Sequence, residues 1–135
     1  MKLYFLGACN EVGASGILLD TGSEKILMDY GVKINEDPTQ YPEEVREKLN
    51  SILLTHSHLD HSGAIPYLFH KGQKCPLIGQ EISRPFSRML WNDSIKVAKT
   101  EGKECKFSDY DIRRSVKKYM PVNYRKPFKL SLIHI

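Results

Sequence analysis

Cysteine is scarce and badly spaced for crosslinking. Cys9, Cys75 and Cys105 are odd in number and far apart, which argues against a disulfide framework and against the close cysteine pairs of thiolate zinc sites. Long hydrophobic runs are missing as well. No apolar stretch exceeds a few residues, so no segment reads as a membrane span. The opening Met1-Lys2-Leu3-Tyr4-Phe5-Leu6-Gly7 is too short for a secretory signal and reads as a first strand. Internal repeats, low-complexity tracts and interdomain linkers are absent too. The Gly-rich loop 7–16 lacks the spacing and the lysine of a phosphate-binding loop. The few, unpaired cysteines point to a reducing, cytoplasmic compartment. With 135 residues, 41% of them hydrophobic, and a mean hydropathy of −0.40, the chain is one folded domain at most, large enough for a core.

What the chain does have is histidine in one place. Three of its five histidines fall within residues 54–63, LTHSHLDHSG, as His56-x-His58-x-Asp60-His61. Given this composition, chance produces the pattern in roughly 3 of 10,000 such chains. Neutral imidazole and carboxylate are the usual ligands of zinc and similar divalent ions. Side chains alternate along extended backbone, so His56 and His58 can point the same way and grip one ion. Asp60 and His61 can turn toward a second. A polar loop whose histidines cap a helix is the alternative, but no cap calls for four ligand groups at this spacing.

Periodicity and turn residues predict the order strand, strand, strand, helix, strand, motif, helix, strand, helix, helix, strand. Residues 2–6, 16–20 and 25–29 are short β-prone runs, and Thr21-Gly22-Ser23 joins the last two into an antiparallel hairpin. Residues 42–49 start with Pro and acids and carry Lys near their end, which predicts a short helix. Residues 51–55 read as a buried strand that delivers the histidines at its C-terminal end, where open α/β sheets place their sites. A helix over 63–70 with Gly72 as its cap and a strand over 76–79 follow. Residues 81–100 read as a helix with Ile82, Phe86, Met89, Leu90 and Val97 facing inward. Ser108 opens a last helix through Tyr119, with Asp111 at N3. Asp29, closing a strand, is either a turn former or an acceptor that orients a ligand histidine from below a metal site. His70 reads as a surface histidine near a helix C-terminus, and Trp91 and Met89 as core.

Charge is uneven. Residues 96–129 carry eleven Lys/Arg against four Asp/Glu, while residues 1–95 carry nine against twelve. A basic C-terminal third can follow a phosphate backbone, although solvated helix faces share the composition. Arg113, Arg114, Lys117 and Lys118 are the candidate nucleic-acid contacts.

Together these residues resemble the metallo-β-lactamase superfamily, and more closely its β-CASP nucleic-acid-processing branch. The resemblance rests on residues 7–16 (GACNEVGASG), Asp29 as the first-motif aspartate, residues 54–68 (LTHSHLDHSGAIPYL), the Asp93-Ser94-Ile95-Lys96 helix and the tail 111–127. It implies an α/β fold, with residues 1–135 as the N-terminal half of an αββα metallo-β-lactamase sandwich. It implies a zinc-dependent hydrolase that cleaves RNA or single-stranded nucleic acid, and it allows a homodimer of the full-length protein. Two zinc ions would be held, one by His56 and His58 and the other by Asp60 and His61, neutralising the charge of an in-line phosphoryl displacement. Asp60 would also orient the attacking oxygen.

The family's later ligands have no counterpart in the chain. These are a histidine after Ala-Gly, a bridging aspartate and a late histidine. His134 lacks the preceding Ala-Gly and comes several residues early for that role, and residues 130–135 also resemble the translated start of a sequencing adapter joined to gene fragments. The family's Thr-rich turn after the 76–79 strand is replaced by Gln80-Glu81-Ile82-Ser83. The expectation is a truncated chain, inactive alone. A thioesterase- or lactonase-type hydrolase on the same fold and a non-catalytic subunit are the rival readings. The 7–16 loop and the basic stretch count against the first. The intact His56, His58, Asp60 and His61 count against the second.

Overall fold

Six strands lie in one sheet in chain order, in a computed structural model that describes residues 1–128 and 130. β1 (Lys2–Gly7), β2 (Gly16–Asp20) and β3 (Lys25–Met28) form an antiparallel meander. β4 (Ser51–Leu53), β5 (Leu77–Gln80) and β6 (Tyr119–Val122) then add in parallel. Parallel neighbours need crossovers. Between β4 and β5 these are the short helices α1 (Leu59–Ser62) and α2 (Ile65–His70), and between β5 and β6 they are α3 (Ser83–Thr100) and α4 (Asp109–Lys117).

Strand register sorts the sheet into two faces. Leu18, Leu27, Ile52, Leu77 and Tyr119 stand side by side across five strands, all buried. This row packs on Ile65, Leu68 and Phe69 of α2, Trp91 of α3 and Ile112 of α4. The next row, on the opposite face, runs Phe5, Ile17, Met28, Leu53, Ile78 and Met120. It is equally apolar, yet only Ile78 in it is buried. The fold is α/β with one face of the sheet covered, the arrangement expected of half a sandwich.

Two elements differ from expectation. Residues 42–49 form no helix. Val45 and Leu49 are buried there, but the backbone is held by distant partners. Glu43 N–H donates to the Leu6 carbonyl (2.8 Å), Leu49 N–H to the Gln73 side chain (3.0 Å), and Gln73 Nε2 to the Glu47 carbonyl (2.8 Å). Those bonds take the groups a helix would pair internally. Helix α3 forms, but rotated from the expected face. Ser83, Ser87 and Trp91 are its buried residues, while Ile82, Phe86, Met89 and Val97 are exposed. Trp91 sets that rotation: it is fully buried, and its indole N–H donates to the Ser62 carbonyl at 2.9 Å.

Other local signals hold. Asp111 at N3 of α4 accepts from the Ser108 backbone N–H (2.9 Å). Gly72, just past α2, has φ +98°. No helix among the described residues is long and apolar enough to cross a membrane. His134 lies outside the described residues.

Candidate metal centre

The motif sits where β4 leaves the sheet. Leu54 still pairs with β5, its N–H donating to the Ile78 carbonyl (2.8 Å). Thr55 to His58 then turn outward, and α1 carries Asp60 and His61 back. This brings the four candidate ligands together. The His56 ring centroid lies 4.7 Å from that of His58 and 4.2 Å from that of His61. One ligand atom each from His56, His58 and Asp60 falls within 4.8 Å of the others. His61 Nε2 lies 3.5 Å from Asp60 Oδ2. His58 is exposed and the other three are half-buried, so the cluster faces solvent.

Beneath it, Asp29 is buried and adopts φ +57°, a left-handed conformation that Asp tolerates better than most residues. Its carboxylate accepts three hydrogen bonds, each 2.8 Å long. They come from the Thr55 N–H, the Thr55 hydroxyl and His61 Nδ1. An acceptor on Nδ1 leaves the His61 Nε2 lone pair turned toward Asp60, as a metal ligand requires. Burial, and then the neighbouring His61 and His58, hold the His56 imidazole below its usual pKa. It is therefore neutral near pH 7, the state that binds metal. Three imidazoles and a carboxylate are a donor set that fits a borderline divalent ion.

Backbone contacts fix α1 in place. Ser15 N–H donates to the Asp60 carbonyl (2.9 Å) and Gly31 N–H to the Ser15 carbonyl (2.8 Å). Tyr30 N–H reaches the His61 carbonyl and Val32 N–H the Leu59 carbonyl, both at 2.8 Å. Gly31 lies so close that a Cβ there would come within 1.7 Å of the Asp60 carbonyl oxygen. Ser15, Gly31 and Thr55 were not singled out from the sequence. Thr55 adjoins the motif and Gly31 lies two residues after Asp29, but only the folded contacts reveal their use.

The basic candidates divide. Arg113, Lys117 and Lys118 are exposed, and Arg113 pairs with Asp109 at 2.9 Å. Arg114 turns inward instead, its guanidinium donating to the Phe69 carbonyl at 2.7 Å near the end of α2. It lies 3.9 Å from Asp111, which also meets His70 Nδ1 at 3.1 Å. Arg114 and His70 thus join α4 to α2.

A family model described as Anti-Pycsar protein Apyc1 matches residues 1–135, the entire chain. The chain belongs to this Apyc1 family. Among curated relatives, "Probable RNase MJ4" of Methanocaldococcus jannaschii is 37% identical over 127 residues, covering 92% of this chain and 29% of that protein. Transcription termination factor FttA is 33% identical in the same organism (92% of this chain, 20% of that protein) and 35% identical in Methanosarcina mazei (93% and 21%). The assignment to the metallo-β-lactamase superfamily, β-CASP branch, stands with these relatives. This Apyc1-family chain spans less than a third of their length. Among solved structures, human tRNase Z, short form (ELAC1), is similar at 21% identity and a TM-score of 0.44, over 79% of this chain and 43% of that one. A B3 metallo-β-lactamase with an active-site glutamic acid is similar at 24% identity and a TM-score of 0.44, over 64% and 32%.

Proposed function

We propose that residues 1–135 are the N-terminal part of the catalytic domain of a zinc-dependent hydrolase that cleaves RNA in the cytoplasm. The carrying observation is the convergence of His56, His58 and Asp60 within 4.8 Å, beside a His61 oriented by Asp29. Imidazole with carboxylate, and no thiolate, suits a catalytic rather than a structural zinc. His56, His58, Asp60 and His61 would hold the metal, and the remaining ligands would come from sequence beyond residue 135. When bound, the metal supplies charge neutralisation and Lewis-acid polarisation at the scissile phosphate. Asp29 keeps His61 in one tautomer, and Ser15 and Gly31 keep Asp60 at its station. Arg113, Lys117 and Lys118 offer positive charge to a phosphate backbone.

An RNase and a transcription termination factor among the relatives support nucleic acid as the substrate class. The description of the matched family, an anti-Pycsar protein, names another role. Similarity over 92% of the chain to the named RNase favours RNA. The test is metal content and RNA cleavage by the full-length protein and its His58→Ala variant. The variant is expected to lose metal and to cleave at least about 100-fold more slowly, more than the usual loss on removing an outer-shell partner. Unchanged metal content in His58→Ala would remove the site. A zinc-loaded protein that spares RNA but hydrolyses thioesters or lactones would move the reading to that class.

A further inference from the structure

The geometry points to Thr55 as a positioning residue, its hydroxyl linking the buried Asp29 carboxylate to His56. Thr55 Oγ1 lies 2.8 Å from Asp29 Oδ2 and 3.0 Å from His56 Nδ1. A hydroxyl has one proton to give and lone pairs to receive with. The Asp29 carboxylate can only accept, and it already receives the Thr55 N–H and His61 Nδ1. The Thr55 proton therefore goes to Asp29, and the hydroxyl must accept from His56 Nδ1–H. That leaves the Nε2 lone pair as the one His56 can offer to a metal shared with His58 and Asp60, whose ligand atoms lie within 4.8 Å of its own. One carboxylate thus orients two imidazoles, His61 directly and His56 through Thr55.

The arrangement has a backbone basis. Asp29 N–H donates to the Leu53 carbonyl (2.8 Å), which ties the end of β3 to the end of β4. Thr55 is two residues beyond that tie, so its amide and hydroxyl reach the two oxygens of the same carboxylate. Valine would fill the same space without the hydroxyl. It would leave one Asp29 oxygen short of a donor and His56 Nδ1 without a partner.

This inference rests on the metal-site reading above, and its test separates the two. Zinc affinity is measured by competition with a chelating dye in the full-length protein and in Thr55→Val, Thr55→Ser, Asp29→Asn and His58→Ala variants. The His58→Ala variant reports on the site itself: if its affinity is unchanged, the metal reading fails. With that control lowered, Thr55→Val is expected to weaken zinc binding about 10–100-fold, and Thr55→Ser to restore most of the loss. Asp29→Asn, which loosens both imidazoles, is expected to weaken it at least as much as Thr55→Val. Wild-type affinity in a folded Thr55→Val variant would overturn the relay while sparing the site. Should that variant fail to fold, nitrogen NMR of the metal-free wild type decides with histidines selectively labelled. His56 as the Nδ1–H tautomer supports the relay, and the Nε2–H tautomer overturns it.

Discussion

Gly31 shows how closely the site is packed at the level of single residues. Its amide donates to Ser15, which in turn holds the Asp60 carbonyl, and there is no room for a side chain above that oxygen. Gly31→Ala must push α1 outward, and with it both Asp60 and His61. We expect a loss of about 2–4 kcal/mol in unfolding free energy, with weaker zinc binding, measured by urea melts and metal titration. Wild-type stability and affinity together would show that α1 can shift freely. Asp111 gives a pH dependence. Burial pushes its carboxyl up, but the Ser108 N–H, the Ser108 hydroxyl and His70 outweigh that and hold it below the usual carboxylate value. A folded-state pKa below the unfolded one means stability that is fully present above the unfolded value and lost as pH falls through the folded value. Asp111→Asn should therefore be less stable than wild type at neutral pH, and the gap should close on acidification. Urea melts from about pH 7 to about pH 2 test this, and parallel curves would refute it.

Among the elements, α3 holds the site from behind. Its indole N–H from Trp91 meets the Ser62 carbonyl at the end of α1, and the Ser62 hydroxyl donates to the Ser57 carbonyl inside the motif (2.8 Å). A buried carbonyl deprived of its donor costs about 1–3 kcal/mol. Trp91→Phe removes that donor while a phenyl ring keeps most of the apolar volume. It should lower stability by about that amount and raise hydrogen exchange in α1, while leaving α4 protection unchanged. Equal loosening of both helices would mean that Trp91 acts only by filling space.

The whole molecule presents two surfaces that can be tested. One is the half-open sheet face, with Phe5 59% and Met120 42% exposed. Apolar faces of this kind seek cover. The isolated 135-residue chain should self-associate at about 100 µM, and Phe5→Glu should reduce this. Sedimentation as a clean 15.5 kDa monomer would contradict the expectation. The other is the basic surface of Arg113, Lys117 and Lys118. Reversing all three charges in the full-length protein should weaken RNA binding and flatten its salt dependence, with metal content unchanged. Unaltered binding would mark these as ordinary solvated side chains. Arg114 is left out of that set because its contact with Phe69 makes it part of the fold.

The sequence by itself determined the features whose causes are local. The His56-x-His58-x-Asp60-His61 spacing, the hairpin at Thr21-Gly22-Ser23 and the Ser108–Asp111 cap each depend on residues a few positions apart, so their chemistry is legible in order. Asp29 was legible as one of two alternatives, since a strand-ending carboxylate can serve a turn or a distant histidine. Only the tertiary structure decided that Asp29 receives Thr55 and His61, 26 and 32 residues away. Tertiary contacts also left residues 42–49 without a helix and turned Phe86 and Met89 of α3, with Ile82 just before it, outward. For residues 42–49, hydrogen bonds to remote segments outweighed a helix propensity worth only a few tenths of a kcal/mol per residue, and in α3 the helix's own Trp91, bonded to Ser62 of α1, chose the buried face. Local pattern names the groups able to do the chemistry, and long-range packing selects which partners they face.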